Sequence, residues 1–281
     1  MQRNILVLVL LLALSACTSK LVYNNLDWWV YWYLDDYIEL NDAQESLFDN
    51  HLNTWLSWHK TSELRRYKAQ LELLKQQINT GTLNYNAIAE HVDQGFDHWE
   101  RVKKVISPTL AEMAQTLSNE QVVSLFAKLE QDAQEERDKR AKYLAKNKEE
   151  QREQRIESIA DTIESRIGKL TTQQQQIVAT YSDQFISTRD YWIAYQQDIL
   201  NSARRLFVTR NNNDHFVDDL TELLINPEKY RSEEYVQKSA HNRKVMITLM
   251  SEIASTLTEK QRKYLIDNID DLIDDVESFM Q

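Results

Sequence analysis

Apolar side chains recur along this chain in steps of three and four. Between Ala43 and Ile78 they fall at Ala43, Leu47, Phe48, Leu52, Trp55, Leu56, Leu64, Tyr67, Leu71, Leu74 and Ile78, one face of an α-helix. Ile177, Tyr181, Phe185, Trp192, Ile199 and Leu206 mark a second stretch, and Val236, Ala240, Ile247, Met250, Ile253 and Leu257 a third. Leu265, Ile269, Leu272, Val276 and Phe279 mark the last. No convincing strand-like alternation occurs. The pattern predicts an all-α fold, a multi-helix bundle of six to eight helices, several long and antiparallel, with no sheet. Breaks are expected at Thr80-Gly81, Gly168, Asn211 to Asp214 and Asn226-Pro227, and a break or a kink at Ser107-Pro108.

A five-residue signal recurs at expected helix starts. It reads Leu40-Asn41-Asp42-Ala43-Gln44, Leu117-Ser118-Asn119-Glu120-Gln121, Leu170-Thr171-Thr172-Gln173-Gln174 and Leu257-Thr258-Glu259-Lys260-Gln261. Each is a capping box. The Asn, Ser or Thr oxygen accepts an orphan backbone N–H, and the Gln three residues on reaches back to the N–H of the cap. The preceding Leu supplies an apolar residue under the first turn. The repetition suggests two helical halves, 22–169 and 170–281, although the break near Gly168 could equally be a turn within one bundle.

Composition narrows the function classes. The 281 residues contain 3 Gly and 2 Pro, too few for Gly-rich phosphate loops or a turn-rich β fold. Hydrophobic residues make up 42%, enough for a core. Lys+Arg number 33 and Asp+Glu 44, a formal charge of -11, which argues against nucleic acid as the main partner. No G-x-S-x-G, H-E-x-x-H, phosphate loop or Cys nucleophile is present, so no enzyme and no cofactor are expected.

The start of the chain gives an address. Arg3 precedes an apolar run from Ile5 to Leu14, too short to span a bilayer, and small residues follow: the grammar of a secretory signal over residues 1–16. The run ends in Leu14-Ser15-Ala16-Cys17, which resembles a bacterial lipobox. That resemblance implies cleavage before Cys17, diacylglycerol on its thiol and acylation of its new amino group. Residues 17–21 would then be a short tether. Cys17 is the only Cys, so no disulfide within the chain competes for the thiol. Thr18 stands where Asp marks inner-membrane retention in Gram-negative lipoproteins, implying outer-membrane sorting to the periplasmic face.

The four L-[ST]-x-x-Q-like starts resemble the L-T-x-x-Q motif of the Spy/CpxP group of periplasmic proteins. That resemblance implies a helical cradle, in some members a holdase chaperone or a metal-responsive sensor. This chain departs from the group in its lipobox, acidity and length. More of it resembles a family of uncharacterised proteobacterial lipoproteins, through Tyr23-Asn24-Asn25-Leu26-Asp27-Trp28, the Leu40–Gln44 motif and His59-Lys60, most strongly over residues 14 to 130. That resemblance implies a fold and an address but no activity.

Four features offer candidate chemistry. The aromatic segment with Trp28, Trp29 and Trp32 could rest on a membrane or pack into the bundle. Seven acids and no Lys or Arg between Leu21 and His59 favour packing. These tryptophans and His59 are candidate partner-binding residues. Glu130 to Arg155, with eight acids and eight bases, reads as one solvated helix projecting from the core, with a partner-binding arm as the alternative. His51, His59, His91 and His98 lack convergent metal-ligand spacing and read as hydrogen-bonded or surface histidines. Asp267, Asp270, Asp271, Asp274 and Asp275 form an acidic stripe that a divalent cation could bridge, with a solvated face as the alternative. The expected function is a membrane-anchored, non-enzymatic envelope adaptor with a protein partner. The alternatives are a Spy-like ATP-independent chaperone and a metal-responsive sensor.

Overall fold

A computed structural model describes Tyr23 and residues 25–281, all but the side chain of Asp27. The signal segment, Cys17 and the tether lie outside the described residues. Among the described residues there is helix and connecting turn but no strand. The helices are α1 (Leu26–Asp35), α2 (Asp42–Trp58), α3 (Leu64–Thr80), α4 (Tyr85–Gln115), α5 (Asn119–Leu144), α6 (Lys148–Ile167), α7 (Thr172–Ser182), α8 (Arg189–Thr209), α9 (Phe216–Ile225), α10 (Glu233–Ser255) and α11 (Glu259–Phe279). A π-turn, His59–Glu63, joins α2 to α3 in one continuous rod.

There are more helices than the six to eight expected, because several breaks carry neither Gly nor Pro. The segment Glu130 to Arg155 is two helices rather than one. The chain turns at Ala145–Asn147, where the Asn147 side chain accepts the Glu150 N–H at 2.9 Å. Nor does this segment project into solvent alone. Arg140 grips Asp190 with two bonds of 2.8 and 2.6 Å, Arg137 reaches Gln197 at 2.9 Å, and Arg152 grips Asp183. Conversely, Pro108 ends nothing. It lies inside α4, which runs on to Gln115. Gly81 and Gly168 do close helices, at φ 70° and 78°, backbone that a side chain with Cβ resists.

All four capping boxes form, and they do more than cap. Each Gln spends its Oε1 on the backbone N–H of its own cap, at 3.1 Å for Gln44, 2.8 Å for Gln121, 2.9 Å for Gln174 and 3.1 Å for Gln261. That leaves Nε2 as a donor, and the boxes use it to clasp one another in pairs. Gln174 and Gln261 exchange bonds of 3.0 and 2.8 Å, and each also donates to the carbonyl just before the other box, Thr256 or Lys169. Gln44 and Gln121 repeat the arrangement with Thr116 and Glu39. The clasp explains why Gln stands at all four positions. Glu would cap equally well, but an ionised Glu has no donor left to give. The four leucines before the boxes anchor in apolar clusters beside the clasps.

The largest apolar cluster joins Ala111, Leu117 and Phe126 to Leu200, Phe207, Phe216, Leu220 and Leu223, so both sides of position 169 share one core. α4 packs against α9 and α10, and α3 lies along α11. Here Lys75 pairs with Asp270, and Lys68 with Glu277 at 2.7 Å.

Candidate functional site

A connected network of polar side chains lies between α3 and α4. The π-turn prepares it. One extra residue enters the rod between His59 and Leu64, where the Leu64 N–H bonds the His59 carbonyl. This turns Glu63 and Leu64 inward together, and Glu63 is fully buried. Single π-turns of this kind are frequent at functional sites.

Glu63, Gln70 and Gln77 are spaced by seven along the rod, and His91 and His98 by seven along the antiparallel α4. They interleave as a ladder. Arg101 holds Glu63 with both Nε and Nη2, at 2.7 and 3.1 Å. His98 Nδ1 sits 3.0 Å from Glu63 Oε2 and 2.6 Å from Arg101 Nη2. His98 Nε2 meets Gln70 Oε1 at 2.9 Å, while Gln70 Nε2 donates to the His91 carbonyl at 2.9 Å. His91 Nε2 meets Gln77 Oε1 at 2.9 Å.

These partners fix protons. Because Gln70 donates through Nε2, its Oε1 accepts, so His98 carries its proton on Nε2. The lone pair on Nδ1 then receives the Arg101 N–H. Burial pushes the His98 and His91 pKa values below the ordinary imidazole range, so both rings are held neutral. Burial alone would raise the Glu63 carboxyl, but the two bonds from the Arg101 guanidinium outweigh it and hold it below the usual range. Protonating His98 would exchange an Arg101 contact for a Glu63 contact at the same nitrogen.

Around the ladder stands an aromatic shell. Tyr67 meets His98 edge-on at 4.4 Å and His59 at 5.5 Å. Tyr23 stacks on Phe279 at 4.1 Å, and its hydroxyl meets His59 Nδ1 at 3.1 Å. Burial lifts both tyrosine hydroxyls to about 12. His59 is half-buried, and burial lowers its pKa, so this predicted partner-binding residue faces the aromatic shell. Above the ladder an open groove of about 370 Å³ is lined by Arg66, Gln70, Gln94, Asp97, His98 and Arg101, with Ala69 and Leu73.

The other sequence candidates lie elsewhere. Trp28, Trp29 and Trp32 face solvent at 58, 40 and 56% exposure, which corrects the expectation that charge would drive them into the bundle. The inner face of α1 was already complete. Val30, Tyr31 and Leu34 pack on the Phe48, Leu52, Trp55 and Met113 cluster, Tyr31 donates to Asp49 at 2.7 Å, and Tyr37 to Asp132 at 2.6 Å. In the acidic stripe, Asp270 pairs with Lys75 and Asp267 with Lys263 at 2.9 Å, while Asp275 is buried rather than solvated. Asp271 and Asp274 join no convergent set: among the described residues no three His, Cys, Asp or Glu come together as metal ligands. Cys17 lies outside the described residues.

Sequence reasoning missed Glu63 as the hub, with Gln70, Gln77 and Arg101. The signals were the gap in apolar positions between Leu56 and Leu64, and the shared spacing of seven on two neighbouring helices.

No curated protein matches this chain, and no solved structure does. Residues 36–236 match one family model, so the groove, the ladder and most of the helices fall within it, whereas the exposed tryptophans precede it. The chain belongs to DUF6279, a family of unknown function.

Proposed function

We propose that this chain is an envelope lipoprotein, acylated at Cys17 and held on the periplasmic face of the outer membrane, that acts as a non-enzymatic adaptor. A protein partner seats in the groove between α3 and α4. The observation that carries this reading is the state of the groove. Its floor is a ladder whose ring nitrogens, amides and carboxylate already serve one another, which suits a rigid platform better than acid–base chemistry. Its rim presents Arg66, Gln94 and Asp97, a mixture of donors and acceptors suited to a polar protein surface. The lipobox and the likeness to proteobacterial lipoproteins support the address.

The test is photocrosslinking in intact cells from a reactive residue at Gln94, followed by mass spectrometry. One stoichiometric envelope protein is expected, absent when the reactive residue is moved to Val123, an exposed position on α5. A broad set of unfolded envelope proteins would replace the adaptor reading with the Spy-like chaperone. Recovery no greater than from a Cys17→Ser control would overturn both. Zinc or calcium titration by calorimetry then tests the sensor alternative.

A further inference from the structure

We propose that the outward face of α1 lies in the headgroup layer of the bilayer that holds Cys17. The proposal rests on the reading of Cys17 as the acylated residue.

α1 is apolar on two opposite sides. Its inner side is filled by contacts with α2 and α4. Its outer side carries Trp28, Trp29, Trp32 and Tyr33, and Tyr33 is also 58% exposed. The indoles form one continuous patch, Trp28 edge-on to Trp29 at 5.0 Å and Trp29 to Trp32 at 5.7 Å. A helix apolar all round is ordinarily covered all round. The residue types name the cover. Trp and Tyr, with an apolar body and a polar N–H or O–H, are the side chains enriched where a membrane meets water.

Chain length supplies the second argument. Cys17 precedes Tyr23 by six residues, which extend to roughly 20 Å at most. Tyr23 is not loose, since it stacks on Phe279 and bonds His59. The end of the bundle that carries Tyr23 and α1 is therefore held beside the bilayer by the anchor.

Charge decides the lipid. Between Leu21 and His59 there is no Lys or Arg, and Asp35 and Asp36 close α1. Attraction to anionic lipid is excluded, so the face partitions by its aromatic rings into zwitterionic headgroups. Salt then has no hold on it.

The test uses the chain purified from membranes and reconstituted in phosphatidylcholine vesicles, with and without brominated phosphatidylcholine. The mass of the Cys17 peptide reports acylation in the same preparation. Three of the seven tryptophans lie on the face, so quenching of roughly a third or more of the emission is expected, unchanged between 0.1 and 1 M salt. In a Trp28→Ser, Trp29→Ser, Trp32→Ser chain, whose fold circular dichroism checks, the remaining emission escapes quenching. An acylated wild-type chain with unquenched emission overturns the proposal and leaves the anchor standing. A chain without the acyl mass overturns the anchor, and the proposal with it.

Discussion

Gln174→Glu tests the clasp between capping boxes at its most buried point. Gln174 is fully buried, and its Nε2 donates to the Thr256 carbonyl at 3.2 Å and to Gln261 Oε1 at 3.0 Å. Glu keeps the cap, because its oxygen still accepts the Thr171 N–H. It loses both donations and sets a carboxylate oxygen against two oxygens that expected a donor. Two stranded acceptors cost about 1–3 kcal/mol, and a buried charge without a counter-ion brings the total to about 4 kcal/mol. For a chain of this size each kcal/mol moves the melting temperature by roughly 2–4 °C, so a fall of about 8–16 °C is expected by calorimetry at pH 7. Gln174→Met, which removes the bonds without adding charge, should lose about half as much. Gln121→Glu, at a half-buried clasp residue, should also cost less than Gln174→Glu. Acid offers a second check. Below the raised pKa of the new carboxyl an O–H donor returns, so the gap to wild type at the same pH should narrow. A Gln174→Glu chain within about 1 kcal/mol of wild type at pH 7 would refute the argument.

Other expectations follow from the ladder and the turns. His59, His91 and His98 all have pKa values lowered by burial, so the unfolded chain binds protons there before the folded one does. Their contribution is full above about pH 6.5 and lost as pH falls towards the lower folded values, and that of Glu63 fades below about pH 4.5. The urea midpoint should therefore drop between pH 7 and pH 5, with a shallower drop in His98→Gln; a flat profile contradicts it. Glu63→Ala removes the partner of Arg101, which solvent still reaches through the groove, and should cost about 1–3 kcal/mol in urea unfolding. Gly168→Ala, at φ 78° and ψ -172°, should cost about 1–3 kcal/mol, more than Gly81→Ala at an ordinary left-handed cap, by thermal melts of both.

What could be read from the chain was what is local. Helical stripes and the four capping boxes depend on residues three or four apart; all four boxes formed, whereas the stripe from Ile177 to Leu206 is cut between Ser182 and Arg189, and Val236, Ala240 and Met250 of the third stripe face solvent. The clasps link Gln44 to Gln121 and Gln174 to Gln261, partners that no window along the chain contains. Their trace was chemical: four amides where carboxylates would have capped as well. The turn at Ala145–Asn147 was overlooked because it lacks Gly and Pro, though Asn147-Lys148-Glu149-Glu150 carries the same N-cap signature as the other starts. Of the break or kink expected at Pro108, the break does not occur. Proline forbids one hydrogen bond, and a long helix clamped by α9 and α10 outweighs that loss. The tryptophans misled because charge was weighed without the inner face of α1, which Val30, Tyr31 and Leu34 had already filled.

The ladder itself shows what such polar groups achieve. α3 presents an apolar side to α11, with Leu64 and Leu71 against Val276 and Phe279, and a polar side to α4. Apolar side chains alone would let two antiparallel helices slide by a turn at modest cost. The ladder forbids it, because a slip removes Arg101 from a fully buried Glu63 and costs about 3–5 kcal/mol. Stability is a poor reason for such a ladder, since buried ionic groups are commonly no better than apolar ones of equal volume. Register is a good reason, because the groove above exists only while α3 and α4 hold their alignment. Glu63→Met, His98→Leu and Arg101→Met together should therefore keep the melting temperature within about 5 °C of wild type, since the buried charges leave as a set. The same chain should show multiple resonances for α3 amides in NMR spectra and lose the crosslink from Gln94. A triple variant that melts far lower, with single sharp resonances, would mean that the ladder serves stability instead.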